Sequence, residues 1–212
     1  MCIVLVTKTK KYLVILSNRD EFLARPTLRA SWWPRPHDNV LGGRDLARPT
    51  HGTWLGITRQ GRIAVLTNYR EQTEEVAVSA ALSRGEITNG FLFSDKSVDD
   101  WVQEALESGV YKNVGGFLLM CGILRKDAKG YAIISNRSSA EEGAHYVLSK
   151  EDEVLGYECE GLSNSFIHDE WPKVKLGKKL LQGLVENDIQ DEDEFIEQCF
   201  ELLSYVAGLG SY

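Results

Sequence analysis

The chain has 212 residues, 43% of them apolar, which is enough for one large domain or two small ones with a substantial core. Its formal charge of −7 and pI near 5.2 argue against nucleic acid as the main partner and against strong electrostatic attraction to anionic membranes. No apolar run approaches the roughly 18 residues of a membrane span, so no transmembrane segment is expected, and the apolar stretch Met1 to Val6 is too short for a secretory signal.

In chain order, residues 2–6 and 12–16 read as two strands around a lysine-rich turn. Residues 25–53 hold four of the five prolines, two tryptophans and three glycines; so long a connection reads as a binding loop. Residues 54–58 and 62–67 form a hairpin turning at Gln60-Gly61, and a short helix covers 86–92. Ser97-Val98-Asp99-Asp100 resembles a capping box that opens a helix with Val98, Trp101, Val102, Ala105 and Leu106 inward and Gly109 as its stop. Residues 117–124 pair with 131–135, and short strands follow at 145–148 and 155–163. Pro172 starts a helix whose inner face carries Val174, Leu180, Leu181 and Leu184. A last helix from Asp193 turns Phe195, Ile196, Cys199, Phe200, Leu203 and Val206 inward. No internal repeat, linker or domain boundary is visible, so the chain reads as a single domain over 1–212.

The strands Ile3-Val4-Leu5-Val6, Leu13-Val14-Ile15-Leu16 and Phe117-Leu118-Leu119-Met120 do not alternate; they are apolar throughout, so both of their faces must be covered. Their short turns imply antiparallel neighbours. Antiparallel sheets buried on both faces fit an α+β fold of four αββα layers.

Four cysteines stand at 2, 121, 159 and 199 without a CxxC spacing, as in a reduced compartment. Cys121 and Cys199 fall in apolar periodic segments and read as core. Cys159 lies between Glu158 and Glu160, which would disfavour its thiolate. Cys2 has two readings of about equal weight. If Met1 is removed, its free amine, near neutral in pKa, could take the thiol proton; otherwise it is a buried strand cysteine. Arg19 could lower the thiol pKa and Asp20 could hold the amine. The competing reading is a structural ion cluster of Arg19, Asp20, Glu21 and Arg25. Trp32-Trp33 is either an apolar wall for a flat ligand or loop packing. Arg44 either meets an anionic group or pairs with Asp45 or Asp38. The histidines have no paired spacing, so no metal site is expected.

Taken together, Met1-Cys2, Asn18-Arg19-Asp20-Glu21, Gly43-Arg44-Asp45, Gly52-Thr53-Trp54-Leu55-Gly56, Leu66-Thr67-Asn68-Tyr69-Arg70, Gly161-Leu162-Ser163-Asn164-Ser165 and Trp171-Pro172-Lys173-Val174 resemble the transport and Golgi organization protein 2 family, also called the NRDE family. Its members are commonly somewhat longer, which leaves room for missing C-terminal elements. More distantly, the same segments are similar to the cholylglycine hydrolase and penicillin V acylase group of N-terminal-nucleophile hydrolases. That resemblance implies an αββα sandwich, with Cys2 at the nucleophile, Asp20 holding its amine, and Asn164 and the pair Asn68-Tyr69 beside the oxyanion. Two departures stand out: Ser17 occupies the place of an arginine, and a later arginine of those hydrolases has no counterpart here.

The family resemblance implies binding or trafficking of a hydrophobic anionic ligand, with haem as cargo or acyl-coenzyme A, linked to Golgi organisation, secretion and mitochondrial lipid homeostasis. No cofactor is required for that. Asn18, Arg19, Glu21, Arg44, Trp54, Asn68 and Tyr69 are the candidate ligand-binding residues. The expected location is the cytoplasm, with mitochondrial or Golgi association. The alternatives are a cysteine amidohydrolase or thioesterase using Cys2, Asp20 and Asn164, and a non-catalytic scaffold of the secretory pathway; the sequence shows no motif for a protein partner.

Overall fold

The computed structural model describes residues 2–9, 11–70, 83–109, 114–124, 131–137, 145–147, 159–166, 169–187 and 189–205. Their elements are, in order, β1 (Ile3–Lys8), β2 (Leu13–Asn18), β3 (Thr27–Trp32), β4 (Val40–Asp45), β5 (Leu55–Thr58), β6 (Arg62–Asn68), α1 (Arg84–Phe93), α2 (Val98–Glu107), β7 (Phe117–Ile123), β8 (Tyr131–Ser135), β9 (His145–Val147), β10 (Cys159–Leu162), α3 (Pro172–Glu186) and α4 (Glu192–Ser204). The fold is α+β. All pairings are antiparallel, in one sheet of order β10-β1-β2 and one of order β3-β4-β5-β6-β7-β8-β9. Two compact units result, one made of residues 1–19 and 154–212, the other of residues 20–153.

In the first unit, β-branched and leucine side chains make β1 the central strand, with Leu5 opposite Leu16 on one side and Gly161 on the other. Leu5, Val14, Leu16, Cys159, Leu181, Leu184, Val185 and Cys199 pack into one cluster. Helix α3 comes very close to β10, because a Cβ on Gly161 would stand 2.5 Å from Val174 Cγ1. Pro172 fits the first turn of α3, where an N–H would have no helical acceptor. The Asp191 carboxylate caps α4 by accepting from the Glu194 N–H, and the acidic first turn suits the positive helix end.

The inner faces of these two helices are narrower than the sequence pattern predicts. Val174, Leu181 and Leu184 are buried, but Leu180 is only half-buried. On α4, Cys199 is buried and Phe195 and Leu203 are half-buried, whereas Ile196 and Phe200 are 43% and 64% exposed. Apolar character alone set the wider expectation; the turn of the helix decides which of its apolar residues meet the sheet. Val206 lies outside the described residues.

In the second unit, β6 and β7 are central. Ala64, Leu66, Phe117, Leu119, Cys121, Ala132 and Ile134 share a core with Ile87, Phe91 and Leu92 of α1 and Trp101, Val102 and Ala105 of α2. The intervening Ile63, Val65, Leu118, Met120 and Ile133 are also buried, so both faces of these strands are covered, as their unbroken apolar runs require. Ser97 caps α2 by accepting from the Asp100 N–H. Leu106 falls off the buried stripe, at 39% exposed. A true capping box, Ser83 with Glu86, opens α1.

The stretch 25–53 is not one long loop. It contains β3 and β4, a hairpin at one edge of the large sheet. Every residue of β3 is exposed, so no alternation marks it, and two glycines dilute the strand signal of β4. Gly43 is required there, since a Cβ would stand 2.7 Å from the Trp54 ring. The two tryptophans do not form a wall together. Trp33 is core and donates its indole N–H to the Gly42 carbonyl at 3.0 Å, while Trp32 is 45% exposed. The first hairpin also runs two residues further than expected, to Lys8 and Asn18, which brings Asn18 opposite Ile3.

Candidate functional site

Cys2 immediately precedes β1. That strand has Asn18 beside Ile3 on one side and Leu162 beside Val4 on the other. Antiparallel register therefore carries Asn18-Arg19 and Ser163-Asn164 towards the two flanks of Cys2. The Ser163 hydroxyl, 3% exposed, donates to the Cys2 carbonyl at 2.8 Å. The Lys173 ammonium, from the first turn of α3, donates to the same carbonyl at 2.8 Å. Asn164 is buried, with its Oδ1 3.5 Å from the Ser163 hydroxyl, and the Ser165 hydroxyl closes the turn on the Asp169 carbonyl at 2.6 Å.

Burial lowers the pKa of Lys173 by disfavouring its charge, and attraction to Cys2 opposes this. The Lys173 Nζ also lies 5.6 Å from the Trp171 ring. Burial disfavours the thiolate of the other three cysteines. Burial pushes Cys121 up to about 12 and raises Cys159 and Cys199. For Cys159 burial is the main cause, ahead of the flanking Glu160. Cys2 is half-exposed, whereas the other three cysteines are buried.

Beside this strand end lies a cavity of about 250 Å3. Ile3 and Leu5 of β1, Leu176 and Leu180 of α3 and Leu202 of α4 make it apolar, and Lys173 and Asn18 add polar groups. The Asn18 amide donates to the Leu203 carbonyl at 2.7 Å, tying β2 to the end of α4. Asn18 thus has a structural task as well as a place on the cavity wall.

The first unit brings together Cys2, Asn18 and Asn164, with Arg19 directly after β2. The remaining sequence candidates belong to the second unit. Asp20 is exposed at its start. Glu21 lies 3.5 Å from Arg25, which pairs with Asp45 at 2.8 Å. That leaves neither expected carboxylate for Arg44: Asp45 faces Arg25 and Asp38 faces Arg35, while the Arg44 guanidinium lies 4.9 Å over the Trp33 ring. The Trp54 ring sits over Gly43. Asn68 ends β6 opposite Phe117, and the Tyr69 N–H donates to the Gly116 carbonyl at 2.8 Å. Sequence reasoning missed Lys173 and Ser163 as site residues. The available signals were that Pro172 opens a helix, which puts Lys173 in its first turn, and that Ser163 adjoins Asn164.

An apolar cavity with the half-buried Lys173 ammonium on its wall can hold an amphipathic anion. Among the described residues no helix is long and apolar enough to cross a membrane.

The family model described as Transport and Golgi organisation 2 matches residues 1–207. A Bos taurus Transport and Golgi organization protein 2 homolog is 32% identical over 201 residues, covering 94% of this chain and 67% of that protein. The Drosophila melanogaster Transport and Golgi organization protein 2 is 31% identical over 178 residues, covering 82% of this chain and 59% of its own. Among solved structures, a Caenorhabditis elegans N-acylethanolamine-hydrolyzing acid amidase ortholog superposes with a TM-score of 0.59 at 12% identity, over 99% of this chain and 88% of that one. At such identity the likeness concerns the fold alone.

Proposed function

Since this chain belongs to the Transport and Golgi organisation 2 family, we propose that it serves Golgi organisation and secretion as a binding and trafficking protein for a hydrophobic anionic small molecule. The observation that carries this reading is the apolar cavity with the half-buried Lys173 on its wall. An ammonium kept from water gains from an anionic head group, and the leucine-lined space gains from an apolar body. Haem and acyl-coenzyme A are the two cargo classes with that character. The proposed location is the cytoplasm, with mitochondrial or Golgi association. Titration of the purified chain with haem and with acyl-coenzyme A tests the reading. Binding in the low micromolar range is expected, and no binding below the high micromolar range to either would overturn it.

One observation favours a second reading, hydrolysis by the Cys2 thiol. The residue stands at a strand start with its carbonyl held by two donors and the buried Asn164 in the same turn. The thiolate sulfur would bond to the carbonyl carbon of an amide or thioester, expel the amine or thiol with a proton, and release the acid on attack by water. If its amine is the base, the active protein lacks Met1. Intact-mass analysis together with turnover of Cys2→Ala decides: retained methionine in active protein, or unchanged turnover, removes this reading.

A further inference from the structure

The net charge of −7 conceals a local excess of the opposite sign. Residues 22–70 hold eight arginines and no lysine, against two acidic residues, Asp38 and Asp45. Arg62 is buried and donates to the Phe91 and Lys96 carbonyls, and Arg25 and Arg44 are half-buried against the partners given above. Arg29, Arg35, Arg48, Arg59 and Arg70 are exposed.

Several of these line one edge. β3 is the outer strand of the seven-stranded sheet, and all six of its residues are exposed. Phe22 and Leu23, in the turn just before it, are 85% and 105% exposed. Leu28 and Trp32 on the strand are 46% and 45% exposed. At its far end the Arg59 guanidinium lies 3.8 Å over the Trp32 ring, and Arg35 is exposed in the turn that follows. Charge on an edge strand blocks pairing with other strands, and that alone would account for Arg29. It does not account for four large apolar side chains, which invite association. Arginines interleaved with exposed aromatic and aliphatic residues are the composition of a surface that meets lipid head groups. Arginine also suits phosphate through its planar donor fork.

We propose that this edge docks the protein reversibly on an anionic phospholipid surface. Phe22, Leu23 and Trp32 enter the boundary between head groups and acyl chains, and Arg29, Arg35 and Arg59 meet the phosphates. The acidic remainder of the chain keeps the attraction weak and confines it to this edge. The proposal is independent of any ligand in the cavity beside Cys2.

Co-sedimentation of the full chain with vesicles tests it. Binding is expected to phosphatidylcholine vesicles carrying about a third phosphatidylserine, to fall with added salt, and to be far weaker on phosphatidylcholine alone. Each exposed arginine contributes roughly fivefold in partitioning, so Arg29→Gln with Arg59→Gln loses about 25-fold. Phe22→Ser with Leu23→Ser abolishes binding. All four positions are exposed, and an unchanged thermal melt shows that the variants remain folded. Equal sedimentation of the wild type and the arginine variant overturns the proposal. So does a concentration-dependent dimer, lost in the same variants, without vesicle binding, since the edge would then serve a second copy of the chain.

Discussion

Replacing Ser163 by alanine and Lys173 by methionine, singly and together, measures whether the two side chains act on one carbonyl. Each single variant removes one of two side-chain donors to the Cys2 carbonyl, at 2.8 Å in either case. Loss of the neutral hydroxyl bond costs about 1 kcal/mol. Loss of the charged bond costs about 1.5–3 kcal/mol, partly offset because the half-buried ammonium is released from its desolvation. The double variant leaves the carbonyl with neither donor, which adds about 1 kcal/mol beyond the sum. Urea denaturation at neutral pH reads these values, and each kcal/mol should lower Tm by about 2–4 °C in a chain of this size. Costs that add to within about 0.3 kcal/mol would refute the shared-acceptor geometry, since independent sites behave that way. The Lys173→Met variant should also lose affinity for acyl-coenzyme A, whereas Ser163→Ala should keep most of it.

Three further outcomes follow from packing and titration. Burial pushes the Cys121 thiol from its ordinary 9.0 up to about 12, so its contribution is complete below pH 9 and is lost as pH rises through that window. Stability should fall by roughly 1–3 kcal/mol between pH 9 and 11 on this account, and the fall should be smaller in Cys121→Ala, where the raised Tyr131 phenol still contributes. Gly85→Ala should destabilise by about 1–3 kcal/mol in a thermal melt despite the better helix propensity of alanine, because its Cβ would stand 2.9 Å from the Gly52 Cα and backbone cannot move aside. Gly183→Ala, in α3 with nothing within 4 Å of the added Cβ, should instead stabilise by about 0.5–1 kcal/mol in the same assay.

What could be read in the sequence tracks what local patterning encodes. The hairpins β1-β2, β5-β6 and β7-β8 announce themselves because β-branched runs are separated by short polar turns, and α2 because Ser97 precedes an apolar stripe. The pair β3-β4 stays hidden because its strand character comes from partners, not from alternation. An exposed edge has no buried face to mark, and Gly42-Gly43 takes its place from the close approach of Leu55 and Trp54. Cys2 and Asn164 were linked only through family resemblance, because β10 reaches β1 from more than 150 residues away. Lys173 stands in a family motif, but its contact with Cys2 spans 171 residues and is not encoded locally. A lysine on a helix reads as a solvated face until the helix is laid across β1. The net charge is an average as well, and an acidic total does not display the arginine-rich edge.

The first unit is assembled from both ends of the chain, whereas the second is one uninterrupted segment. On a ribosome adding about 5–20 residues per second, Lys173 follows Cys2 by roughly 10–30 s. The second unit can form within that interval, but β1 must wait for β10 and α3. The Cys2 carbonyl therefore spends that interval without its donors from Ser163 and Lys173. This strand end is thus the last part of the fold to be completed, although it is the first to be synthesised.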